Sequence, residues 1–448
     1  MQTKSVVVPI VIFLIFWLYL FQYTLHKSYD TDFDSNELNV LEEQARLLQK
    51  LLTKEKQELE RMKLMLSSFK SANKNDAVRK VEHVDRTWHQ PIPVLVFACN
   101  RPNAVKNHLE KLLKLRQSKE RFPIIVSQDC DDDGVRKVVE QYGSDVEYIK
   151  HVSGQKAKIE IPSNHRMYTT YYYIARHYKL ALEYIFEKRG FSSVIITEDD
   201  LDVAPDFLEF FSSTRYLLDK DPQLWCVSAW NDNGKISNIN SKAAAKLYRS
   251  DFFSGLGWMM ARKTWDELGS IWPSGFWDDW MRDPLRRKNR QCIRPEVSRT
   301  GMTVDGKDGA SKGQFFGKHL AKIVVNRNYV NFTNLDLDYL LQANYDSAFE
   351  NEVFVKSQLM GIDETIRFLK NPTNRKIAIR VEYNGNIDYI HKADKLKIMH
   401  DFKAGVPRTA YKGVVTCFKN GIWVYLAPDR KVITGYNTSW EVPSNIAE

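Results

Sequence analysis

The chain has 448 residues, 43% hydrophobic and 27% charged, an ordinary globular composition with length for more than one domain and a large core. Its formal net charge of +9 is diffuse, with no Lys/Arg block of nucleic-acid type, so nucleic acid is not an expected partner. Aromatics reach 12%, with 11 Trp and 21 Tyr, which suits flat ligands such as sugar rings as well as a plain core.

The stretch SVVVPIVIFLIFWLYLFQY, Ser5 to Tyr23, runs 19 residues without a charge. A helix of about 20 apolar residues crosses a bilayer. Large side chains continue through Leu25, where a cleaved leader would carry small ones. Residues 5–23 therefore read as an uncleaved anchor behind a short cytosolic tail, residues 1–4. The charges flanking the span are nearly balanced and do not orient it. The sequons at Asn331 and Asn437 and the five cysteines favour a lumenal body. Within the stem, residues 24–90, apolar residues from Leu38 to Phe69 recur at alternating three- and four-residue spacing, broken only at Glu55. That heptad pattern predicts a coiled, self-associating segment over 38–69, the alternative being one amphipathic helix lying on the body.

The body opens with a strand over Val94–Ala98 and a helical pattern over Asn103–Leu115. FPIIVSQD is a second strand, followed by a short helix through Val138, and VEYI is a third. A long helix over Tyr168–Lys188 leads to a strand over Val194–Thr197. This alternation predicts a parallel sheet covered on both faces, with ligands at the carboxyl ends of its strands. Near the C-terminus, KIAIRVEYNG, GVVTCFKNGIWVYLAP and RKVITGY alternate like antiparallel strands, with KNG as a hairpin turn. They predict a smaller second domain.

Asp129 to Glu140, DCDDDGVRKVVE, has the letters of an EF-hand calcium loop. The segment before it reads as a strand where that motif needs a helix, and Arg136 stands at a normally apolar position. A strand-end loop is the better reading. SSVIITEDDLDVAPDF raises a sharper question. Its β-branched run ends in Glu198, Asp199 and Asp200, and Pro205 and Asp206 read as the first turn of a helix. Adjacent carboxylates raise one another's pKa unless something positive lies among them. Oxygen ligands without His or Cys point to Mn2+ or Mg2+, with a diphosphate completing the metal's shell. In FWDDWMRDP, Asp278 and Asp279 stand between Trp277 and Trp280. They fit an aromatic-screened general base and, equally, a charged pair capping a helix that starts at Trp280.

Six ordered motifs, TEDDLDVAPDF, WCVSAWNDNG, YRSDFFSGLGWMM, WPSGFWDDWMR, RPEVSRT and GVPRTAYKGVV, resemble the N-acetylglucosaminyltransferase I family from about Val94 to the C-terminus. The tail, anchor and stem match that family's type II plan. The resemblance implies an α/β protein: a GT-A catalytic domain over 91–304, a linker with a donor-closing loop over 305–340, and a smaller α+β domain over 341–448. It implies a Golgi membrane enzyme with its body in the lumen. Such an enzyme moves GlcNAc from UDP-GlcNAc to the 2-hydroxyl of the α-1,3-linked mannose of a five-mannose N-glycan, inverting to a β-1,2 linkage. Asp200 would then ligate Mn2+, with Mg2+ as a substitute, Asp199 would contact the ribose, and Glu198 the transferred sugar. Asp278 would be the catalytic base, with Trp277 and Leu256 lining the sugar pocket. Arg101, Asp129 and His177 match positions that hold the uridine nucleotide, although His177, read alone, is a satisfied histidine on a helix. Family pairing implies the disulfides Cys99–Cys130 and Cys226–Cys292, leaving Cys417 free.

One segment departs from the pattern. TGMTVDGKDGASKGQFF, residues 300–316, is longer than the usual family loop, and Ser311 takes the place of a serine that touches the nucleotide. Gly306 and Gly309 suit a mobile lid there. The competing readings are a transferase of the same family acting on O-linked mannose and a non-catalytic, sugar-binding Golgi scaffold. Intact Glu198, Asp200 and Asp278 argue against the scaffold.

Overall fold

The structure is a computed structural model of the chain and describes residues 17–18, 20–22, 43–49, 52–53, 56, 90–309, 313, 316–373, 376–433 and 435–441. It divides into two units, Met1–Asp85 and Arg86–Glu448. In the first, the described residues are helical and exposed. Among the described residues no helix is long and apolar enough to cross a membrane. Most of the expected anchor, 5–23, and of the coiled segment, 38–69, lies outside the described residues.

The second unit begins with the predicted alternation. β1 (Val94–Ala98), α1 (Pro102–Leu115), β2 (Ile124–Gln128), α2 (Asp133–Glu140), β3 (Val146–Lys150), α3 (Thr169–Glu183) and β4 (Ser193–Glu198) follow in order. Every residue of β1 and β2 is buried, as continuous apolar runs become in a parallel sheet covered on both faces. The chain then turns through the three carboxylates into β5 (Leu201–Val203), α4 (Phe207–Lys220), β6 (Leu224–Ser228), β7 (Leu247–Ser250) and β8 (Trp258–Ala261). Next come α5 (Arg262–Leu268), α6 (Trp277–Arg282), α7 (Pro284–Arg287), β9 (Gln291–Pro295) and β10 (Thr300–Met302). The main sheet has eight strands in the order β3-β2-β1-β4-β8-β6-β9-β7. Only β8 and β7 run against their neighbours, so the fold is mixed α/β around a largely parallel sheet. β5 and β10 pair separately. Apolar clusters fill both sides, one holding Val96, Leu109 and Phe210, the other Tyr178, Trp258 and Trp277.

Both disulfides are present, and each ties neighbouring parallel strands. Cys99–Cys130 lies just beyond the carboxyl ends of β1 and β2. Cys226 and Cys292 are register partners on β6 and β9. Cys417 is free and buried.

Two local expectations need correction. Pro205 and Asp206 lie just before α4 and not in its first turn; Asp206 is the N-cap residue, with no side-chain cap bond. Its carboxylate is fully buried and binds Arg299 at 3.0 Å and Asn326 at 3.1 Å, because a buried acid is best satisfied by a charged donor. The C-terminal strands are also not all antiparallel. α8 (Gln342–Glu350), β11 (Gln358–Leu359), α9 (Ile362–Lys370), β12 (Ala378–Tyr383), α10 (Asn386–Leu396), β13 (Phe402–Lys403), β14 (Val406–Pro407), β15 (Val415–Lys419) and β16 (Ile422–Pro428) form this region. Its four-stranded sheet has the order β11-β12-β16-β15. The hairpin β15–β16 turns as expected at Asn420 and Gly421, both at positive φ, 50° and 91°. β12, however, lies parallel to β16, since α10 intervenes as a crossover. The described residues of RKVITGY form turns, not a strand.

Candidate active site

β1 and β4 are parallel neighbours in which Phe97 faces Glu198, so the loop after β1 and the turn after β4 emerge at one edge of the sheet. Arg101, which opens α1, reaches into that turn. Its guanidinium pairs with Asp199 and, at 3.0 Å, with Asp200, and donates to the Asp305 carbonyl at 2.8 Å. Arg101 thus supplies one positive charge among the three adjacent carboxylates. Glu198 points elsewhere and accepts a 2.9 Å hydrogen bond from the Tyr178 hydroxyl. Burial, and then the Asp200 charge, push the Glu198 pKa up to about 8. Burial likewise lifts Asp199 to about 7 despite Arg101.

One oxygen of each aspartate, Asp199 Oδ2 and Asp200 Oδ1, is buried without a hydrogen-bond partner. No group of three His, Cys, Asp or Glu side chains that could hold a metal is found among the described residues. Two orphaned carboxylate oxygens fit a cation that takes its remaining ligands from substrate and water. A cavity of about 420 Å³ opens here, lined in part by Asp199, Lys111, Thr303 and Asp305. The segment after β10 lies over the turn: the Thr303 amide donates to the Asp200 carbonyl at 2.8 Å.

His108 on α1 holds the same turn from behind. Its Nδ1–H donates to the Leu201 carbonyl at 2.7 Å, and its Nε2 lies 3.2 Å from the Thr197 hydroxyl. Burial lowers its pKa to about 4, so it is neutral, with one nitrogen free to donate and one to accept.

On the other side of β1, Asp129 follows β2 and binds Arg176 of α3 at 3.0 Å. Burial raises its pKa against the pull of that guanidinium. His177 is 7% exposed, lies 2.8 Å from the Ser127 hydroxyl, and packs edge-on to Phe97 at 4.7 Å. Burial, then His151 and Arg176, hold its pKa well below the usual value. The calcium-like letters resolve into ordinary contacts. Asp131 pairs with Lys150, Asp132 caps α2 through the Val135 amide, and Asp133 pairs with Arg136.

The second acidic pair lies in the first turn of α6, which starts at Trp277 and not at Trp280. Phe276 before it has φ 51°, a strained setting for a bulky residue of the kind found at functional turns. The aromatic screening expected for Asp278 is not there. Its side chain is 39% exposed and bound at 2.8 Å through Oδ2 to Arg282, because Trp277 turns inward instead of covering it. Trp277 stacks on Tyr178 at 4.1 Å, and Tyr178 on Phe97 at 4.0 Å. Tyr178 therefore links Glu198 to the turn that carries Asp278. Leu256 lies between two glycines, the first of which approaches Trp277. A Cβ at Gly255 would meet Trp277 at 3.2 Å, and one at Gly257, φ +83°, would meet Thr300 at 2.5 Å. Beyond Asp278, Tyr171 stacks on Phe276 at 5.1 Å, with His165 and Tyr168 packed edge-on against the same ring.

A family profile described as the GNT-I family matches residues 2–440. This chain belongs to the GNT-I family. Within that family's reach, an alpha-1,3-mannosyl-glycoprotein 2-beta-N-acetylglucosaminyltransferase of Arabidopsis thaliana is 35% identical over 382 residues, 85% of this chain and 82% of that protein. Among solved structures, the mannosyltransferase PcManGT from Pyrobaculum calidifontis, in complex with GDP-Man and Mn2+, shares 16% identity over 51% of this chain and 61% of its own, with a TM-score of 0.31. S. aureus TarS, residues 1–349, shares 11% over 62% and 78%, with a TM-score of 0.33. Likenesses that slight place no constraint on what this GNT-I chain does.

Of the residues anticipated for a GNT-I site, the fold brings Arg101, Asp199 and Asp200 into direct contact, with Glu198 and Asp278 joined through Tyr178 and Trp277. Asp129 and His177 flank β2 on the same side. Ser311 lies outside the described residues. Tyr178 and His108 were missed, because one tyrosine in a helical run and one histidine among charges carry no local signal. The run YTTYYY, Tyr168 to Tyr173, could have flagged the aromatic ledge beside Phe276.

Proposed function

We propose that this chain transfers GlcNAc from UDP-GlcNAc to the 2-hydroxyl of the α-1,3-linked mannose of a five-mannose N-glycan, forming a β-1,2 linkage. One observation carries the reading: two buried aspartates with orphaned oxygens lie one stacked tyrosine away from a turn that presents an accessible carboxylate. Family membership and the name of the Arabidopsis thaliana relative support donor and acceptor. A GT-A reading agrees with carboxylates at the carboxyl edge of a largely parallel sheet.

Asp200, with Asp199 beside it, is the residue suited to hold Mn2+ or, in its place, Mg2+. The bound ion would supply positive charge to the donor's diphosphate. Arg101 offers a guanidinium fork at the same edge, and Asp129 and His177 serve the nucleoside end. Glu198, oriented by Tyr178, contacts the transferred sugar, which rests against Leu256 and Trp277. Asp278 accepts the proton of the mannose 2-hydroxyl while that oxygen bonds the anomeric carbon and the bond to UDP breaks. Among the described residues its Oδ1 has no hydrogen-bond partner, whereas both oxygens of Asp279 are taken, by Arg282 and Lys403. A single displacement inverts the anomeric centre, so one base suffices where a retaining mechanism needs a carboxylate pair. The ledge of Tyr171 and Phe276 offers the acceptor a flat face.

We place the body in the Golgi lumen, behind an anchor at 5–23 and a stem at 24–90 that self-associates. Two disulfides support an oxidising compartment. The domain plan is a catalytic domain to 304, a linker to 340 and a C-terminal domain beyond. The test uses the detergent-solubilised chain with UDP-GlcNAc and a five-mannose glycan, with Mn2+, with EDTA, and as Asp278→Asn, reading the linkage by NMR. Metal-dependent β-1,2 product, lost in the variant, upholds the scheme. Transfer to an O-mannosyl peptide alone would overturn the acceptor, and no transfer to either would favour the scaffold.

A further inference from the structure

A second cavity, of about 640 Å³, lies among the β7–β9 end of the main sheet, α7 and the C-terminal strands. It shares no lining residue with the cavity at Asp199. Arg287, the last residue of α7, lines it and is only 3% exposed. Among the described residues its guanidinium makes no ion pair or hydrogen bond, and its Nε is a buried donor without a partner. Its nearest aromatic neighbour is Tyr436, whose ring centroid lies 5.4 Å away. Three other buried arginines of this unit each hold a carboxylate, Arg249 with Asp221, Arg282 with Asp278 and Arg299 with Asp206, whereas Arg294, buried and among the described residues without an ion pair, donates to the Pro295 carbonyl at 3.3 Å and lies over Tyr248. A cation taken out of water without an anion is strongly disfavoured.

The acid on the cavity wall does not answer it. Asp251 is already bound by the Gln291 amide at 3.1 Å, the Lys412 backbone amide at 2.6 Å and the Tyr436 hydroxyl at 2.5 Å. Lys412, paired with Asp346 at 3.0 Å, also lines the cavity, and Trp440 and Tyr436 add flat apolar faces. A volume of this size suits a small ligand of one or two sugar rings.

We infer that this cavity is a second ligand site, taking a sugar that bears one anionic group, with that group on Arg287 and its ring against Trp440 and Tyr436. Phosphate and carboxylate offer the same planar or forked oxygens to a guanidinium, so the chemistry is shared and the source is for experiment. The site stands on its own geometry and does not depend on the transfer reaction.

Calorimetric titration of the full chain, with its donor site saturated by UDP and Mn2+, decides the matter. The probes are GlcNAc-1-phosphate, N-acetylneuraminic acid, inorganic phosphate and neutral GlcNAc. One of the two anionic sugars is expected to bind more tightly than neutral GlcNAc, and which one does so identifies the anion. Arg287→Gln should weaken that sugar about tenfold or more, and Arg287→Lys less. Trp440→Ala, at the rim, should weaken the sugar but not inorganic phosphate, which keeps the test sharp if Arg287→Gln fails to fold. Asp200→Ala should leave this binding unchanged. The inference is overturned if neither anionic sugar binds in the presence of UDP, or if Arg287→Gln with an unaltered Tm, or Trp440→Ala, binds as the parent does.

Discussion

Asp199 and Asp200 share Arg101 much as Asp278 and Asp279 share Arg282, but the first pair is 2% and 8% exposed and the second 39% and 44%. The consequences are opposite. At the buried pair, desolvation outweighs Arg101 and lifts Asp199 to about 7, with Glu198 behind it at about 8. At the exposed pair, burial also acts upward on Asp279, but Arg282 and Lys403 outweigh it and hold the carboxyl below its usual range. One arginine does not balance three adjacent carboxylates, whereas two cations match the two acids of the exposed pair. The first turn is therefore arranged to receive a cation, whereas the second carries its own cations and leaves Asp278 open to solvent.

The largest effects should come from breaking each half of that contrast. Asp200→Asn should lower transfer by roughly a thousandfold, the scale of losing a preorganised charge site. Its Tm in EDTA should not fall, because removing one of three crowded buried charges relieves repulsion. A clear drop in that metal-free Tm would mean that Arg101 alone already stabilises the trio. Asp278→Asn should lower kcat by roughly 10²–10⁴ while leaving donor KM in place. A fully active Asp278→Asn chain would remove the proton-accepting role from this turn.

A smaller effect tests what holds the buried turn in place. His108 has a folded pKa of about 4 against an ordinary value near 6.5. A depressed folded value means that its contribution is present above pH 6.5 and is lost as pH falls towards 4. The total at stake is up to about 3 kcal/mol. His108→Gln keeps a donor for Leu201 and an acceptor for Thr197 but cannot titrate. Urea unfolding at pH 7 and pH 4.5 should show the parent losing more stability than the variant across that window. Equal losses would mean that the buried imidazole is not what acid attacks.

The parts of this molecule that could be read from sequence are those whose cause is local. β1, β2 and β4 were legible because doubly covered strands must be continuous apolar runs, and the carboxylates because a strand end in such a sheet is a ligand edge. The disulfide partners came only through family resemblance, since spacing cannot choose among pairings. What escaped depended on partners far along the chain. Asp206 read as part of a helix's first turn and instead stands before the helix and serves Arg299, 93 residues away. Asp278 looked screened by its tryptophans, but Trp277 turns inward to Tyr178, nearly 100 residues earlier in the chain. Arg287 carries no signal of its own in the sequence; the fold buries it beside Tyr436, far along the chain.

The smallest effect separates the two acids of the exposed pair. Asp279 is the nearest rival to Asp278, since both sit in the first turn of α6 and both bind Arg282. Arg282 binds Oδ1 of Asp279 at 2.6 Å and Lys403 binds Oδ2 at 3.3 Å, so both of its oxygens already hold a cation, whereas among the described residues Asp278 has only Oδ2 bound. Asp279→Asn should therefore change kcat by less than about tenfold, well short of the loss a missing base entails. Its Tm should fall by no more than about 1 kcal/mol of stability implies, since the pair it breaks is 44% exposed on the acid side. If kcat instead collapses in Asp279→Asn and survives in Asp278→Asn, the two acids exchange roles. Arg282 would then be holding Asp278 for the sake of the turn, and the contrast with the buried trio would rest on Asp279.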